Sequence, residues 1–394
     1  MKPNTLGPVT AGIPKKLLRS RESEISKASV RRKPAPSQEF SFRLKPADIA
    51  RHLNRFVIGQ NEAKKVLGVA LCDHFQHVRL TLEGKEAPFY QKQNVLLLGP
   101  TGVGKTHLIR SAADLIGVPF VKADATKFSE TGYVGGDVDD LVRDLIRRAG
   151  GDVKRASHGI IYLDEVDKLA GHPEGGGGRD VSGRGVQTNL LKLMEDGDVP
   201  VLSPNDVTGQ LQSAMSAARG NAPGMPDTIS TRHILFIASG AFVGMDQIIR
   251  DRLVSPHLSV EKAHAQVSTA DFIRFGLEPE FVGRLPVRVA CHALDEDDLF
   301  HVLSRSESSL IHQYERSFAA YGIALRFQPE ALRRLAVLAR DEKTGARGLM
   351  TVLERTFRDL KFRLPSSKIK SLTITPETVE NPAAALKKLL GKSL

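Results

Sequence analysis

Gly99-Pro100-Thr101-Gly102-Val103-Gly104-Lys105-Thr106 sets glycines, a lysine and a threonine at the spacing G-x-x-x-x-G-K-[ST], the Walker A pattern. Those residue types in that order suit the cradling of nucleotide phosphates. Glycines let backbone N–H groups turn inward, at a helix start whose unpaired donors and dipole favour anions. Lys105 would reach the β- and γ-phosphates. The Thr106 hydroxyl is an oxygen ligand of the kind a hard cation such as Mg²⁺ prefers. Further along, Gly159-Ile160-Ile161-Tyr162-Leu163-Asp164-Glu165 is an apolar run that ends in two adjacent carboxylates. Asp164 is suited to orient the magnesium shell and Glu165 to polarise an attacking water. An isolated Asp-Glu would only solvate a strand end; behind a Walker A pattern it reads as its Walker B counterpart.

These residues need a scaffold. Asn94–Leu98, Val118–Lys122, Gly159–Asp164 and His233–Ser239 are short apolar runs of strand length, and helical stretches alternate with them over His107–Ile116, Val138–Ala149 and Gln187–Glu195. Continuous apolar strands alternating with helices indicate a parallel sheet covered on both faces, an α/β fold. Ser239 would end its strand facing the nucleotide side. Before the first strand, Lys45–Leu53 starts a helix, Phe56–Gln60 interrupts it, and Asn61 is placed to cap a second helix running towards Leu82. Ala63, Val66, Leu67, Ala70, Leu71, Phe75 and Val78 give that helix one buried face. Beyond Asp295, the spacing of Leu299, Val302 and Leu303, then Leu332, Leu335 and Leu338, then Leu349, Val352, Leu353 and Phe357 describes amphipathic helices, with Ser371–Thr375 as a short strand. The division expected is a basic disordered tail over 1–44, a large parallel-sheet domain over 45–294 and a smaller, mainly helical domain over 295–394.

Composition narrows the class. The 394 residues are 41% hydrophobic and 26% charged, as in soluble globular proteins. No run approaches the roughly 18 apolar residues of a membrane span, so no membrane association is expected. The net charge of +11 would permit contact with a polyanion, but much of the excess lies between Lys15 and Lys33. Cys72 and Cys291 form no C-x-x-C pair, which fits a reduced, cytoplasmic setting. His74 and His77, beside Cys72, read as a solvated helix face rather than metal ligands, and no zinc is expected.

The chain resembles the ClpX family of AAA+ protein unfoldases over about 45–375, with some wording shared with the related HslU. The residues that carry the likeness are Phe56-Val57-Ile58-Gly59-Gln60, the Walker pair, Gly132-Tyr133-Val134-Gly135, Arg179-Asp180-Val181-Ser182-Gly183, Glu280–Pro286, and Thr344-Gly345-Ala346-Arg347-Gly348-Leu349. Only about 30 residues separate Tyr133 from Asp164, too few for the intermediate domain HslU inserts there. The resemblance implies a homo-oligomeric ring, usually of six subunits, with ATP between neighbours and an axial channel that draws in unfolded or tagged proteins. It implies Val57, Ile58 and His107 beside the nucleotide, Tyr133 and Val134 as the channel grip, Arg284 as the arginine finger given to a neighbour's ATP, and Arg347 as a second sensor arginine. Tyr133 on a glycine-flanked loop suits that grip physically, since an aromatic holds unfolded chain without reading its sequence.

The departures from the family are specific. Its N-terminal four-cysteine zinc module has no counterpart in a sequence with two cysteines. The stretch Pro200–Asp227, where a second channel loop should carry Arg-Lys-His, has Arg219 as its only basic residue. Arg184 stands where the family has Glu. Arg250–Asp271, where an aliphatic-Gly-Phe tripeptide should dock on a peptidase, contains neither Gly nor Phe. The expectation is an ATP-driven unfoldase that works without a ClpP-type peptidase. Alternatives are the ATPase of a two-component protease and a nucleic-acid motor of the same superfamily, for which no base-stacking aromatic series is present.

Overall fold

Strand β1, Val95–Leu98, is buried at every position, so a packed layer must cover each of its faces. The computed structural model describes residues 40–85, 90–128, 136–171, 181–203 and 226–391. The chain divides into Met1–Ser41, almost all outside those residues, and Phe42–Leu394.

Five parallel strands form the main sheet: β1, β2 (Phe120–Asp124), β3 (Ile160–Asp164), and two later strands that, with the short pair β4 (Asp198–Pro200) and β5 (Thr228–Ser230), number as β6 (Leu235–Gly240) and β7 (Val287–Ala290). Their order is β2-β3-β6-β1-β7, in register Val121↔Ile161, Ile161↔Phe236 and Leu96↔Ala238. The chain leaves β1 for the far edge and only later returns to fill the gap with β6. In such open sheets ligands bind at the carboxyl ends of the strands, where this order reverses. Leu96, Leu98, Val121, Ile161, Leu163 and Phe236 bury one face of the sheet in a cluster that takes in Leu141, Val142 and Leu145. Helices α1 (Pro46–Phe56), α2 (Asn61–Leu82), α3 (Lys105–Ile116), α4 (Asp140–Arg148) and α5 (Val181–Met194) supply the layers around it. Helix α5 begins six residues before the predicted Gln187.

A second cluster, Leu299, Leu303, Tyr314, Phe318, Leu335, Leu349, Leu353 and Phe357 among others, is the core of the mainly helical C-terminal domain. Its helices include α6 (Glu296–Ser304), α7 (Pro329–Asp341) and α8 (Ala346–Arg363), with a two-stranded parallel ladder of β8 (Ala324–Phe327) and β9 (Ser371–Ile374).

Several local expectations need correction. His74 and His77 are buried, not solvated. His74 Nε2 lies 3.0 Å from the His233 carbonyl and Nδ1 3.3 Å from the Tyr90 hydroxyl, and burial pushes its pKa down to about 3, so it is neutral. The apolar face of α2 is thus wider than its aliphatic residues alone suggested. Asn61 is the first residue inside α2, not its cap; the N-cap position is held by Gln60 in a left-handed backbone (φ 54°), without a capping bond from its side chain. Phe42, within the predicted tail, is buried 5.6 Å from the Phe75 ring. Among the described residues no helix is long and apolar enough to cross a membrane, and no group of three or more His, Cys, Asp or Glu is arranged to hold a metal ion.

Candidate nucleotide site

The Walker A loop leaves the carboxyl end of β1 and turns into α3, with Gly99, Gly102 and Gly104 all at positive φ. Two of these have no room for a side chain. A Cβ on Gly99 would lie 2.2 Å from the Cys291 carbonyl oxygen, and one on Gly102 2.2 Å from that of Thr344. The loop is therefore clasped by backbone on two sides. Lys105 Nζ donates to the loop carbonyls of Gly99 (2.5 Å) and Pro100 (2.9 Å). Burial lowers its pKa, against the pull of Cys291, Asp164 and Asp167.

Asp164 ends β3 two strands away, and β6 brings Ser239 between them. Ser239 Oγ donates to Asp164 Oδ1 at 2.7 Å and sits 2.7 Å from the Tyr162 hydroxyl. Thr106 Oγ1 donates to Asp164 Oδ2 at 3.3 Å. Burial acts to raise the Asp164 pKa, but hydrogen bonds from Lys122 and Ser239 and the charges of Lys122 and Lys105 outweigh it, holding the carboxylate below its ordinary range. Two facing oxygens beside a glycine-rich loop at a helix start fit a magnesium–nucleotide complex. Mg²⁺ typically takes one or two protein oxygens and completes its shell with phosphate and water. Thr106 and Asp164 would hold it, and bound there it would neutralise charge developing on the phosphates. Glu165 follows in a left-handed conformation (φ 62°, ψ 33°) with an exposed side chain. For a residue other than glycine this geometry costs on the order of 1–3 kcal/mol.

Residues 90–288 match the family described as AAA domain (Cdc48 subfamily), and 294–370 match the C-terminal, D2-small domain of ClpB protein. The ATP-dependent Clp protease ATP-binding subunit ClpX 3 of Methylococcus capsulatus is 39% identical over 362 residues, 86% of this chain and 81% of that protein. The ATP-dependent Clp protease ATP-binding subunits ClpX of Borrelia duttonii (39% over 85% of this chain and 78% of that protein) and Treponema denticola (37% over 88% and 84%) are similar. The chain belongs to the ClpX family. It is an AAA+ ATPase.

The remaining ClpX-family positions fall in different places. Val57 is buried, its Cγ1 3.3 Å from where a Cβ on Gly104 would sit, and Lys64 Nζ holds its carbonyl at 2.6 Å. Ile58 beside it is half-buried. His107 Nε2 is 2.9 Å from Ser308 Oγ, and its ring meets Phe56 edge-on on the wall of a cavity of about 480 Å³. Arg347, exposed at the start of α8, is close enough for its charge to bear on Lys105. Arg284 is elsewhere. Its carbonyl accepts from Asn94 Nδ2 at 3.0 Å, just before β1, and its guanidinium pairs with Glu195 Oε1 at 2.5 Å. That is the amino end of the sheet, roughly 16 Å from the Walker A loop at ~3.3 Å per strand residue. Tyr133 and Val134 lie outside the described residues.

Three contacts at the site were not anticipated. Lys122 reaches Asp164 from β2. Gln60 spends its side chain on the His292 backbone, donating to the carbonyl at 2.8 Å and accepting from the N–H at 3.0 Å. The Ala346 N–H donates to the Gly102 carbonyl at 2.9 Å, seating α8 on the Walker A loop. A lysine set between the apolar residues of β2 was a usable signal for Lys122. No sequence signal pointed to the other two partners.

Proposed function

We propose that this ATPase uses hydrolysis to unfold or remodel other proteins, threading polypeptide through the axial channel of a homo-oligomeric ring of six subunits, with Tyr133 and Val134 as the grip. The observation that carries the reading is the seating of α8 on the Walker A loop through Ala346 and Gly102. Phosphates bound in that loop would bear directly on the C-terminal domain, so their loss would shift that domain against the sheet and pull on whatever the ring holds. The distance of Arg284 from its own subunit's loop supports a role across the interface, in a neighbour's site. The domains are taken as 1–44, 45–294 and 295–394, with partner choice in the basic tail and in the insert before Asp227.

Independence from a ClpP-type peptidase is part of the proposal. Its support is that Arg250–Asp271 has neither Gly nor Phe and is partly taken up by the helical turns Met245–Leu253, Val260–His264 and Thr269–Phe275. The relatives are named as subunits of a protease, which favours a second reading in which a peptidase docks here too.

The test is ATP-dependent unfolding of a tagged fluorescent protein by the full chain, with Tyr133→Ala alongside. Fluorescence loss that needs ATP, and that Tyr133→Ala abolishes while its ATPase persists, is the expected result. Stimulation of the ATPase by DNA and not by unfolded protein would overturn the reading. Processive degradation on adding ClpP would overturn the claim of independence and establish the second reading.

A further inference from the structure

The two oxygens assigned to magnesium already face a cation of the protein's own. Lys122 Nζ is 2.8 Å from Asp164 Oδ2 and 3.2 Å from Thr106 Oγ1. The placement follows from the sheet. Lys122 on β2 is in register with Tyr162 on β3, and side chains two residues apart on a strand share a face. Lys122, Tyr162 and Asp164 therefore project to one side, the side against which α3 sets Thr106. The ammonium also lies 5.7 Å from the centroid of the Tyr162 ring. The pair is partly withdrawn from water, with the Lys122 side chain 34% exposed and that of Asp164 18%.

A magnesium ion sits about 2.0–2.1 Å from its oxygen ligands. With an ammonium 2.8 Å from the same carboxylate oxygen, the two cations would be only a few ångströms apart. Their repulsion is large in a partly desolvated site. One must yield. We propose that Lys122 is a built-in counter-cation that competes with magnesium for Asp164, and so raises the magnesium concentration at which the nucleotide site loads. The inference rests on Thr106 and Asp164 being the metal ligands. In the same reading, Lys122 on departing is free to turn to solvent, which its exposure allows.

The experiment uses the full chain and measures equilibrium binding of a fluorescent N-methylanthraniloyl ATP across a titration of free Mg²⁺, with Mn²⁺ binding followed in parallel by electron paramagnetic resonance. Lys122→Met should lower the half-saturating metal concentration by roughly tenfold, the order expected for removing a partly exposed charge at contact distance. Lys122→Arg, which keeps the charge, should stay near the parental value. Lys122→Gln repeats the test should Lys122→Met fold poorly. Asp164→Asn should shift the metal dependence the other way. If Asp164→Asn raises the metal requirement but neither neutral Lys122 variant lowers it, the competition is refuted while the ligand assignment stands. If Asp164→Asn leaves the metal dependence unchanged, the ligand assignment itself fails and the inference falls with it.

Discussion

Substituting Gly345 by alanine tests whether the contact between the C-terminal domain and the Walker A loop matters to nucleotide binding. Gly345 has φ 60° and ψ −142°, close to a region that side chains essentially avoid and that costs about 1–3 kcal/mol when they enter it. A Cβ there would lie 2.8 Å from the Gly102 oxygen, 2.9 Å from its carbonyl carbon and 3.0 Å from the Thr101 oxygen. All three are backbone atoms of the loop, so none can rotate aside. The start of α8 must lift, and the Ala346–Gly102 hydrogen bond is lost, which costs a further ~0.5–1.5 kcal/mol. The docked arrangement is thus disfavoured by roughly 2–4 kcal/mol, and relaxation will bring the effect to the lower end. If nucleotide binds the docked arrangement, affinity for ATP should fall by about 30-fold or more, although no side chain assigned to the phosphates has changed. Titration calorimetry with ATP reads this, and thermal melting should show a loss of a few degrees with a single transition. Arg347→Ala is the control that removes the arginine without moving the loop. Parental ATP affinity in Gly345→Ala, with an unchanged melting temperature, would refute the coupling.

Three other outcomes are expected. Lys105→Ala should lose tight ATP binding, whereas Glu165→Gln should bind ATP and hardly turn over; near-parental phosphate release by Glu165→Gln in a steady-state assay would contradict the division of roles. Mixed rings of Arg284→Ala and Glu165→Gln subunits should show activity that depends on which neighbour each subunit has, and an ATPase rate that simply averages the two variants would count against an interface role. Lys92 donates to the carbonyls of Thr231 (2.8 Å) and Glu195 (3.3 Å), and burial pulls its pKa down to about 7 from 10.5. Between those values the unfolded chain holds a proton that the folded chain has released, so this residue makes stability rise with pH; below about 7 both forms are charged and the penalty is complete. The stability of Lys92→Met relative to the parent, from urea unfolding, should therefore decline from pH 6.5 to pH 9.5, and a difference independent of pH would refute the assignment.

What was legible in the sequence was what contiguous residues carry. The Walker A loop, the Asp164–Glu165 strand end and the apolar runs of β1, β3 and β6 announce themselves because backbone conformation and strand burial depend on neighbours in the chain. The helical character after Asp295 was legible for the same reason. His74 and His77 were misread because polarity alone does not say how far a helix face is covered; Tyr90 and His233, which cover it, come from other elements. The order β2-β3-β6-β1-β7 was decided only by tertiary packing, and it is this order that sets Ser239 and Lys122 on either side of Asp164. The same packing joins Gln60 to His292, Gly102 to Ala346 and Arg284 to Glu195. Each of these is a hydrogen bond or ion pair, effective only over a few ångströms, between residues that sequence distance holds far apart. Their partners are chosen by where the layers pack, and a linear pattern carries no term for that.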